Sequence, residues 1–305
     1  MHLENLENIK GEILKDEPMS KHTSFAIGGP ADILAYPADR DDLLLLVRAA
    51  RAQGAPYFLL GGGTNLLVRD GGFRGVVISL RRMDAVAIER EYRSIGGAYG
   101  VVLAEAGAFL PKLVSFAAEE GFHGLEFAAG IPGTVGGAIC MNAGTALGEI
   151  GDIVESVGLL SPEGVVVART REEMGFGYRT ASVPEGHVVI EARLVLRRED
   201  KEKIKARIQE LLKTRKQRQP WGQPNAGSIF KNPQEESAGS LIESAGLKGR
   251  TIGGAQVSEK HANFIVNRGR AKAADVIALM EVVKRTVLEV HGARLEPEIK
   301  IIGEE

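Results

Sequence analysis

The sequence predicts an α+β protein with more than one domain, and three observations carry that prediction. Predicted strands come in runs with helices interspersed, whereas a doubly wound parallel sheet alternates strand and helix. A chain of 305 residues, 44% hydrophobic and 26% charged, has material for two or three domains. The one place that invites a dinucleotide fingerprint, Gly61-Gly62-Gly63-Thr64-Asn65, fails it. Leu66 stands where the third glycine belongs, and Leu66–Val68 runs straight into the turn Arg69-Asp70-Gly71-Gly72. No phosphate-binding helix fits there, so the loop is a strand–loop–strand cradle and not a Rossmann turn.

The elements follow in order. Leu3, Leu6, Ile9, Ile13 and Leu14 fall at helical spacing, so the first fifteen residues read as an amphipathic helix. Gly28-Gly29-Pro30 is a turn, and Ala31–Tyr36 a strand. Asp39 and Asp42 place acid at the start of the next helix, which Gly54 closes. Tyr57–Leu60 is a short buried strand leading into the glycine loop. Gly75–Leu80, Val86–Glu89 and Val101–Ala106 read as further strands, and a helix from about Leu110 to Glu120 starts with Pro111 and ends at Gly121.

Glu126–Gly144 carries five glycines, Gly130, Gly133, Gly136, Gly137 and Gly144, with Pro132 stiffening the first turn. It shows neither apolar period, so it reads as irregular backbone laid against a ligand and not as a packed helix. Its exposed N–H groups suit phosphate or the polar edge of a flat ring, and with Gly61–Asn65 it makes a two-loop grip on one large phosphate-bearing cofactor.

Val154–Ser161 and Val165–Ala168 form a hairpin around Pro162-Glu163-Gly164, and His187–Leu196 is a strand. Lys201–Arg218 holds eight Lys/Arg and two Glu with an apolar face of Ile204, Ile208, Leu211 and Leu212, a helix whose basic side is solvated. Pro220, Gly222 and Pro224 mark a linker. A helix (Leu241–Ala245), a strand (Asn263–Val266), a long helix (Ala273–Val290) and a final strand (Arg294–Ile302) complete the chain.

Composition excludes several functions. Net charge is −2, which gives no global attraction to nucleic acid or an anionic membrane. The charged start lacks the apolar core of a secretory signal, and the longest aliphatic run, Leu43–Val47, is too short to span a bilayer. One cysteine, Cys140, permits no internal disulfide and reads as a small packed thiol. The six histidines show no metal-ligand spacing, so no metal site is expected. Arg179, Ser228 and Glu298 each interrupt their surroundings, but alone each reads as a surface arginine, a turn cap or a solvent-facing strand glutamate.

Taken together the motifs resemble a family. Gly61-Gly-Gly-Thr-Asn65, the run Ala129-Gly130-Ile-Pro132-Gly133-Thr134-Val-Gly136-Gly137 with Met141-Asn142-Ala143-Gly144, Gly177-Tyr178-Arg179, Asn225-Ala-Gly-Ser228-Ile-Phe-Lys231-Asn232-Pro and Leu295-Glu-Pro-Glu298 occur in the order of the UDP-N-acetylenolpyruvoylglucosamine reductases, in their shorter class. The similarity spans Lys21 to Gly303. It implies two FAD-binding lobes of the vanillyl-alcohol-oxidase type (21–85 and 86–200), preceded by an N-terminal helix (1–20) and followed by a substrate domain (201–305).

The same resemblance implies NADPH as donor, reduction of an enolpyruvyl UDP-sugar to UDP-N-acetylmuramate, and a cytoplasmic role in peptidoglycan synthesis. Wall biogenesis, cell shape and division depend on that product. The glycine motifs, with Asn142, Ala143 and Ala129, would contact FAD. Arg179 would face the substrate carboxylate, and Ser228 would donate a proton. Glu298 would either be neutral through burial or orient Arg179. Tyr178, Lys231, Asn232 and Gln256 would touch substrate, and Arg215 and Arg218 would face diphosphate or solvent. Gly61–Asn65 has no His or Cys, so FAD is expected to be non-covalent. Ala181 stands where the family commonly has serine. A sugar oxidase on the same scaffold and a non-catalytic nucleotide-sugar binder are the alternative readings.

Overall fold

The computed structural model describes residues 6–233 and 236–305. Its first sheet has β1 (Glu12–Pro18), β2 (Pro30–Tyr36), β3 (Tyr57–Leu60) and β5 (Phe73–Ser79), with α1 (Arg40–Ala52) on one face. A short strand, β4 (Leu66–Val68), follows the glycine loop outside this sheet. The order is β1-β2-β5-β3; β1 is antiparallel and the other pairs are parallel.

The expected N-terminal helix is corrected. Leu3 lies outside the described residues, Leu6–Asn8 forms a single 3-10 turn, and 12–18 is a strand. Its register on β2 runs from Glu12↔Tyr36 to Pro18↔Pro30. A few apolar residues at helical spacing cannot nucleate a helix against an open sheet edge that supplies a ready ladder. Asp42 has a different task from the one its position suggested. It is fully buried, and its carboxylate accepts from the backbone N–H of Lys10, Gly11 and Ala38. It ties the N-terminal segment to the first sheet, while Asp39 caps α1.

The second sheet is antiparallel. It contains β6 (Val86–Ser94), β7 (Gly97–Glu105), β8 (Phe122–His123), β11 (Val154–Leu160), β12 (Val166–Thr170) and β13 (Val188–Arg198). β6 and β7 run well past the expected Val86–Glu89 and Val101–Ala106, because each supplies the other's ladder. α2 (Leu110–Glu120) ends in the left-handed Gly121, as its sequence predicts. Between α2 and β11 lie α3 (Val135–Cys140) and the small pair β9 (Gly144–Thr145) and β10 (Gly148–Glu149). α3 corrects the reading of Glu126–Gly144 as helix-free. Six residues are too few to show a period, and Gly136 is there because a Cβ would stand 3.0 Å from that of Ala106 on the neighbouring strand end.

α4 (Lys201–Arg218) buries Ile204 and lies along α2. Arg207 on α4 bonds Glu126 and Glu199, so packing attaches this helix to the second sheet's side of the molecule. The last part holds β14 (Asn225–Ser228), α5 (Ala238–Ser244), β15 (Thr251–Ile252), β16 (Ala255–Val257), β17 (Phe264–Asn267) and α6 (Ala273–His291), in sheet order β14-β17-β16-β15. The expected final strand shrinks to β18 (Lys300–Ile302). Upstream of it, Pro297 has no N–H to extend a ladder; residues 296–298 are instead stitched to 229–231 by Lys231 N–H to Glu296 O and Glu298 N–H to Ile229 O. β18 then pairs in parallel with β4, returning the C-terminus to the glycine loop.

One apolar core joins the first two sheets, through Ile33, Leu46 and Ile78 on one side and Val102, Val157 and Leu194 on the other. A separate core under α6 takes in Phe25, Ile27 and Leu67 from the first lobe. No helix among the described residues is long and apolar enough to cross a membrane.

Asp42→Ala leaves three part-buried N–H groups without an acceptor, and is expected to cost about 1–3 kcal/mol by urea unfolding, with Asp42→Asn costing less. Equal stability of Asp42→Ala and wild type would show that these bonds do not hold the N-terminal strand in place.

Candidate active site

The two glycine loops pack against each other, with Thr64 Oγ1 3.4 Å from the Pro132 carbonyl, and together line a cavity of about 800 Å³. A Cβ on Gly61 would lie 2.6 Å from Thr134 Oγ1, and one on Gly62 would lie 2.9 Å from Gly133 Cα. Gly63 has φ +64, and a Cβ there would strike the His22 carbonyl. The walls therefore stay open only as glycine. Among the described residues, the backbone N–H groups of Gly61, Gly62, Gly63, Thr64 and Asn65 find no protein acceptor, nor do those of Gly133, Thr134 and Gly137. Thr134 Oγ1 is buried and unpartnered as well. Unsatisfied donors on both loops call for an anionic, acceptor-rich ligand in the cavity that they line. Apolar residues Tyr57, Leu59, Leu80, Leu110, Val188 and Val189 complete the lining, which suits a flat ring.

Arg179, Ser228 and Glu298, far apart in sequence, all line this cavity. Arg179 sits at the tip of a two-residue turn closed by reciprocal backbone bonds between Gly177 and Thr180. It has φ +57, a conformation that disfavours a side chain by about 1–2 kcal/mol. Three contacts hold it there. Nε donates to Glu298 Oε1 at 2.8 Å, Nη1 reaches the Gly144 carbonyl at 3.5 Å, and the guanidinium lies 5.2 Å from the Tyr178 ring centroid.

Asn142 anchors the turn from below. Its amide donates to the Gly177 carbonyl (3.0 Å) and to Glu149 (2.6 Å), and it accepts from Gly151 N–H. The turn is held from the other side by Asn232, whose N–H donates to the Tyr178 hydroxyl at 3.1 Å. Ala181 packs into the core beside the turn, which gives the departure from serine a packing reason.

Ser228 follows Gly227, which has φ +76 and whose N–H is held by the Asn225 side chain. The β14–β17 register shifts between Asn225 and Ser228, and such a bulge re-aims the next side chain. Glu298 hangs beside it, because its N–H bonds the carbonyl of Ile229. Asn65 Nδ2 donates to the Glu298 carbonyl at 3.2 Å, joining the glycine loop directly to this segment. Burial pushes the Glu298 carboxyl above the usual carboxylate range, with Arg179 pulling against it.

Other expected residues stand elsewhere. Ala129, Asn142, Lys231, Asn232, Tyr178 and Gln256 are outside the cavity lining, although Gly130 and Ala143 are in it. Asn142 is consumed by its three internal bonds. Lys231 lies 3.6 Å from Glu296, Asn232 also accepts from Ala238 N–H, and Gln256 donates to the Gly249 carbonyl. Cys140 is not packed; its thiol is exposed on the cavity wall, where surrounding protein pushes its pKa up. Arg215 lines the cavity against Gly130, and desolvation lowers its pKa; Arg218 does not line it. Trp221, Ser24 and Lys300 line the cavity and were missed. A lone tryptophan in a Pro/Gly linker was the one signal available for them.

The fold and this slot define a protein that holds a nucleotide cofactor beside an arginine, a serine and a glutamate. Comparison with known proteins sharpens the class. Residues 31–169 match the FAD binding domain family, and residues 219–302 match the UDP-N-acetylenolpyruvoylglucosamine reductase C-terminal domain. UDP-N-acetylenolpyruvoylglucosamine reductases of Caldanaerobacter subterraneus subsp. tengcongensis and Geobacter metallireducens are each 46% identical over 97% of this chain and cover 95% and 96% of those proteins. The crystal structure of the Thermus caldophilus reductase superimposes with a TM-score of 0.79 at 39% identity, over 96% of this chain and 99% of that one. The chain belongs to the UDP-N-acetylenolpyruvoylglucosamine reductase family.

Gly62→Ala forces the two walls apart at backbone atoms, and is expected to weaken FAD retention on the order of tenfold. Gly54→Ala, strained at φ +62 but outside the cavity lining and with nothing within 4 Å of the added Cβ, should keep full flavin. The ratio of flavin to protein absorbance after gel filtration reads both; full flavin in Gly62→Ala would sink the cradle.

Proposed function

We propose that this chain is an FAD-dependent oxidoreductase that uses NADPH to reduce the enolpyruvyl ether of UDP-N-acetylglucosamine to UDP-N-acetylmuramate. The observation that carries the reading is the convergence of Arg179, Ser228 and Glu298 on one glycine-walled cavity. Bound FAD supplies the two-electron transfer between donor and substrate. The unpaired N–H groups of Gly61–Asn65, Gly133, Thr134 and Gly137, with the Thr134 hydroxyl, are the groups that would hold its phosphates and ring edge. Gly61–Asn65 contains no His or Cys for a covalent link.

The residues then divide the substrate chemistry. Addition of hydrogen with two electrons at the substrate's methylene carbon moves charge to the α-carbon and its carboxylate, while NADPH becomes NADP⁺. Arg179, immobilised from three sides, offers its guanidinium to that carboxylate. The Ser228 hydroxyl gives the proton that turns the α-carbon tetrahedral and is reprotonated from solvent. A carbanion-like acceptor is a strong base, so placement matters more than hydroxyl acidity. Glu298 acts as the carboxylate that aims Arg179, as their 2.8 Å contact supports. Tyr178 and Asn232 position the arginine turn and need not touch substrate. Arg215, on the cavity wall with no carboxylate partner among the described residues, would face a diphosphate. The product is a peptidoglycan precursor, which places the protein in the cytoplasm and ties cell shape and division to it.

Ser228→Ala should leave flavin bleaching by NADPH within about twofold and slow reoxidation by the enolpyruvyl UDP-sugar by on the order of 10³. Equal loss in both half-reactions would remove the proton-donor role. The pH profile of the second half-reaction tests Glu298. A carboxyl raised by burial protonates above the usual carboxylate range, so the rate should fall as pH drops through that raised value. In Arg179→Gln the carboxylate has no guanidinium left to aim, so the inflection should vanish with the arginine. Glu298→Gln should abolish it; an unchanged inflection in that variant would assign it elsewhere.

A further inference from the structure

Ser228 lines the cavity, and its hydroxyl has no hydrogen-bond partner among the described residues. The backbone that carries it therefore decides where it can reach. Upstream, that backbone is set by Gly227 and the Asn225 side chain. Downstream, the ladder stops. β14 ends at Ser228, and β17 begins at Phe264, the residue paired with it. The next two residues, Ile229 and Phe230, are buried, so their peptide groups must find partners outside the ladder.

Asn263 supplies them. Its backbone carbonyl accepts from Ile229 N–H at 2.9 Å. Its side chain, also buried, takes both peptide groups of Phe230. Oδ1 accepts the N–H at 3.0 Å, and Nδ2 donates to the carbonyl at 2.8 Å. A carboxamide offers a donor and an acceptor much as a peptide group does, so this side chain stands in for the strand that β17 lacks here. The other edge of the segment goes to the C-terminal stretch. The Ile229 carbonyl accepts from Glu298 N–H, and Lys231 N–H donates to the Glu296 carbonyl. Residues 229–231 are thus held between Asn263 on one side and 296–298 on the other.

Asn263 is itself fixed. Its N–H donates to His261 Nδ1 at 3.3 Å. That ring lies edge-on to Phe264, with centroids 4.9 Å apart, and a Cβ at Gly239 would stand 3.2 Å from it. Asn263 does not line the cavity, whereas Ser228, Phe264 and Glu298 do. Its influence on the chemistry therefore runs through the backbone it holds. Burying an amide costs desolvation that an apolar side chain avoids, and here the amide is spent on the residue two places after Ser228, while the residue between them carries the bond to Glu298.

We propose that Asn263 is the positioning residue for Ser228: by pinning the backbone of 229–230 it places the serine hydroxyl for proton transfer to the substrate's α-carbon and sets its spacing from Glu298. The inference rests on the reductase reading and adds the group that aims its proton donor. Misplacing a reacting group by about 1 Å costs on the order of 10²-fold in rate, so the hold on this backbone is a hold on the second half-reaction.

The test follows the two half-reactions of the holoenzyme separately. In Asn263→Ala, flavin bleaching by NADPH should stay within about twofold, while reoxidation by saturating enolpyruvyl UDP-sugar should slow by on the order of 30- to 100-fold. The half-saturating sugar concentration should move by less than about threefold. The same substitution in a Ser228→Ala background should slow reoxidation by less than about twofold, because no hydroxyl is left to misplace. Equal slowing in both backgrounds overturns the proposal. So does a loss that appears in the half-saturating concentration or in both half-reactions. If Asn263→Ala does not retain flavin, Asn263→Asp carries the test under the same criteria. It keeps the shape and the acceptor for Phe230 N–H, and loses the donor to the Phe230 carbonyl. Wild-type enzyme that NADPH bleaches but the enolpyruvyl UDP-sugar does not reoxidise refutes the reductase reading instead, and this inference falls with it.

Discussion

The return of the C-terminus to the glycine loop is the constraint on which the site depends. β18 lies parallel to β4 in the register Lys300↔Leu66, and Lys300 N–H bonds the Asn65 carbonyl. Asn65 Nδ2 in turn holds the Glu298 carbonyl. A single short loop therefore offers free amides to a cofactor and, through its last residue, fixes the height of Glu298 above that cofactor's bed. Ser228 follows, because Glu298 N–H is bonded to the residue after it. Three bonds carry the alignment, two between backbone groups and one from the Asn65 amide.

Arg179 shows how the second lobe meets this frame. The arginine occupies a backbone conformation suited to glycine or asparagine, and the strain is offset by Glu298, Tyr178, Asn142 and Asn232 acting on a two-residue tip. Two of those four groups come from the last part of the chain. The guanidinium is therefore in place only when that part is docked on the lobes, which links assembly of the molecule to completion of the site.

Much of the fold was legible. Asp39 as cap, Gly121 and Gly292 as left-handed stops, and the amphipathic spacing of α6 act within a few residues, where sequence and local energy coincide. What failed were segments whose structure is decided by a partner far away. The N-terminal strand takes its ladder from β2, α3 is stabilised by contact with Ala106, and the expected last strand is interrupted at Pro297 and stitched to 229–231 instead. Among site residues, glycines were legible because a Cβ at Gly61, Gly62 or Gly63 would fall within 3 Å of a neighbouring residue. Asn142, Asn232 and Gln256 were not, because an amide reads the same whether it faces a ligand or a backbone carbonyl.

By itself, the sequence determined the α+β class, the two glycine cradles, and the residue types available for an enolate-forming reduction. These follow from composition, spacing and sterics that act along the chain. Tertiary structure alone decided that Arg179, Ser228 and Glu298 share one cavity, and that Cys140 and Trp221 face it. Those facts depend on hydrogen bonds spanning more than two hundred residues, such as Asn65 to Glu298, and no local pattern encodes their geometry.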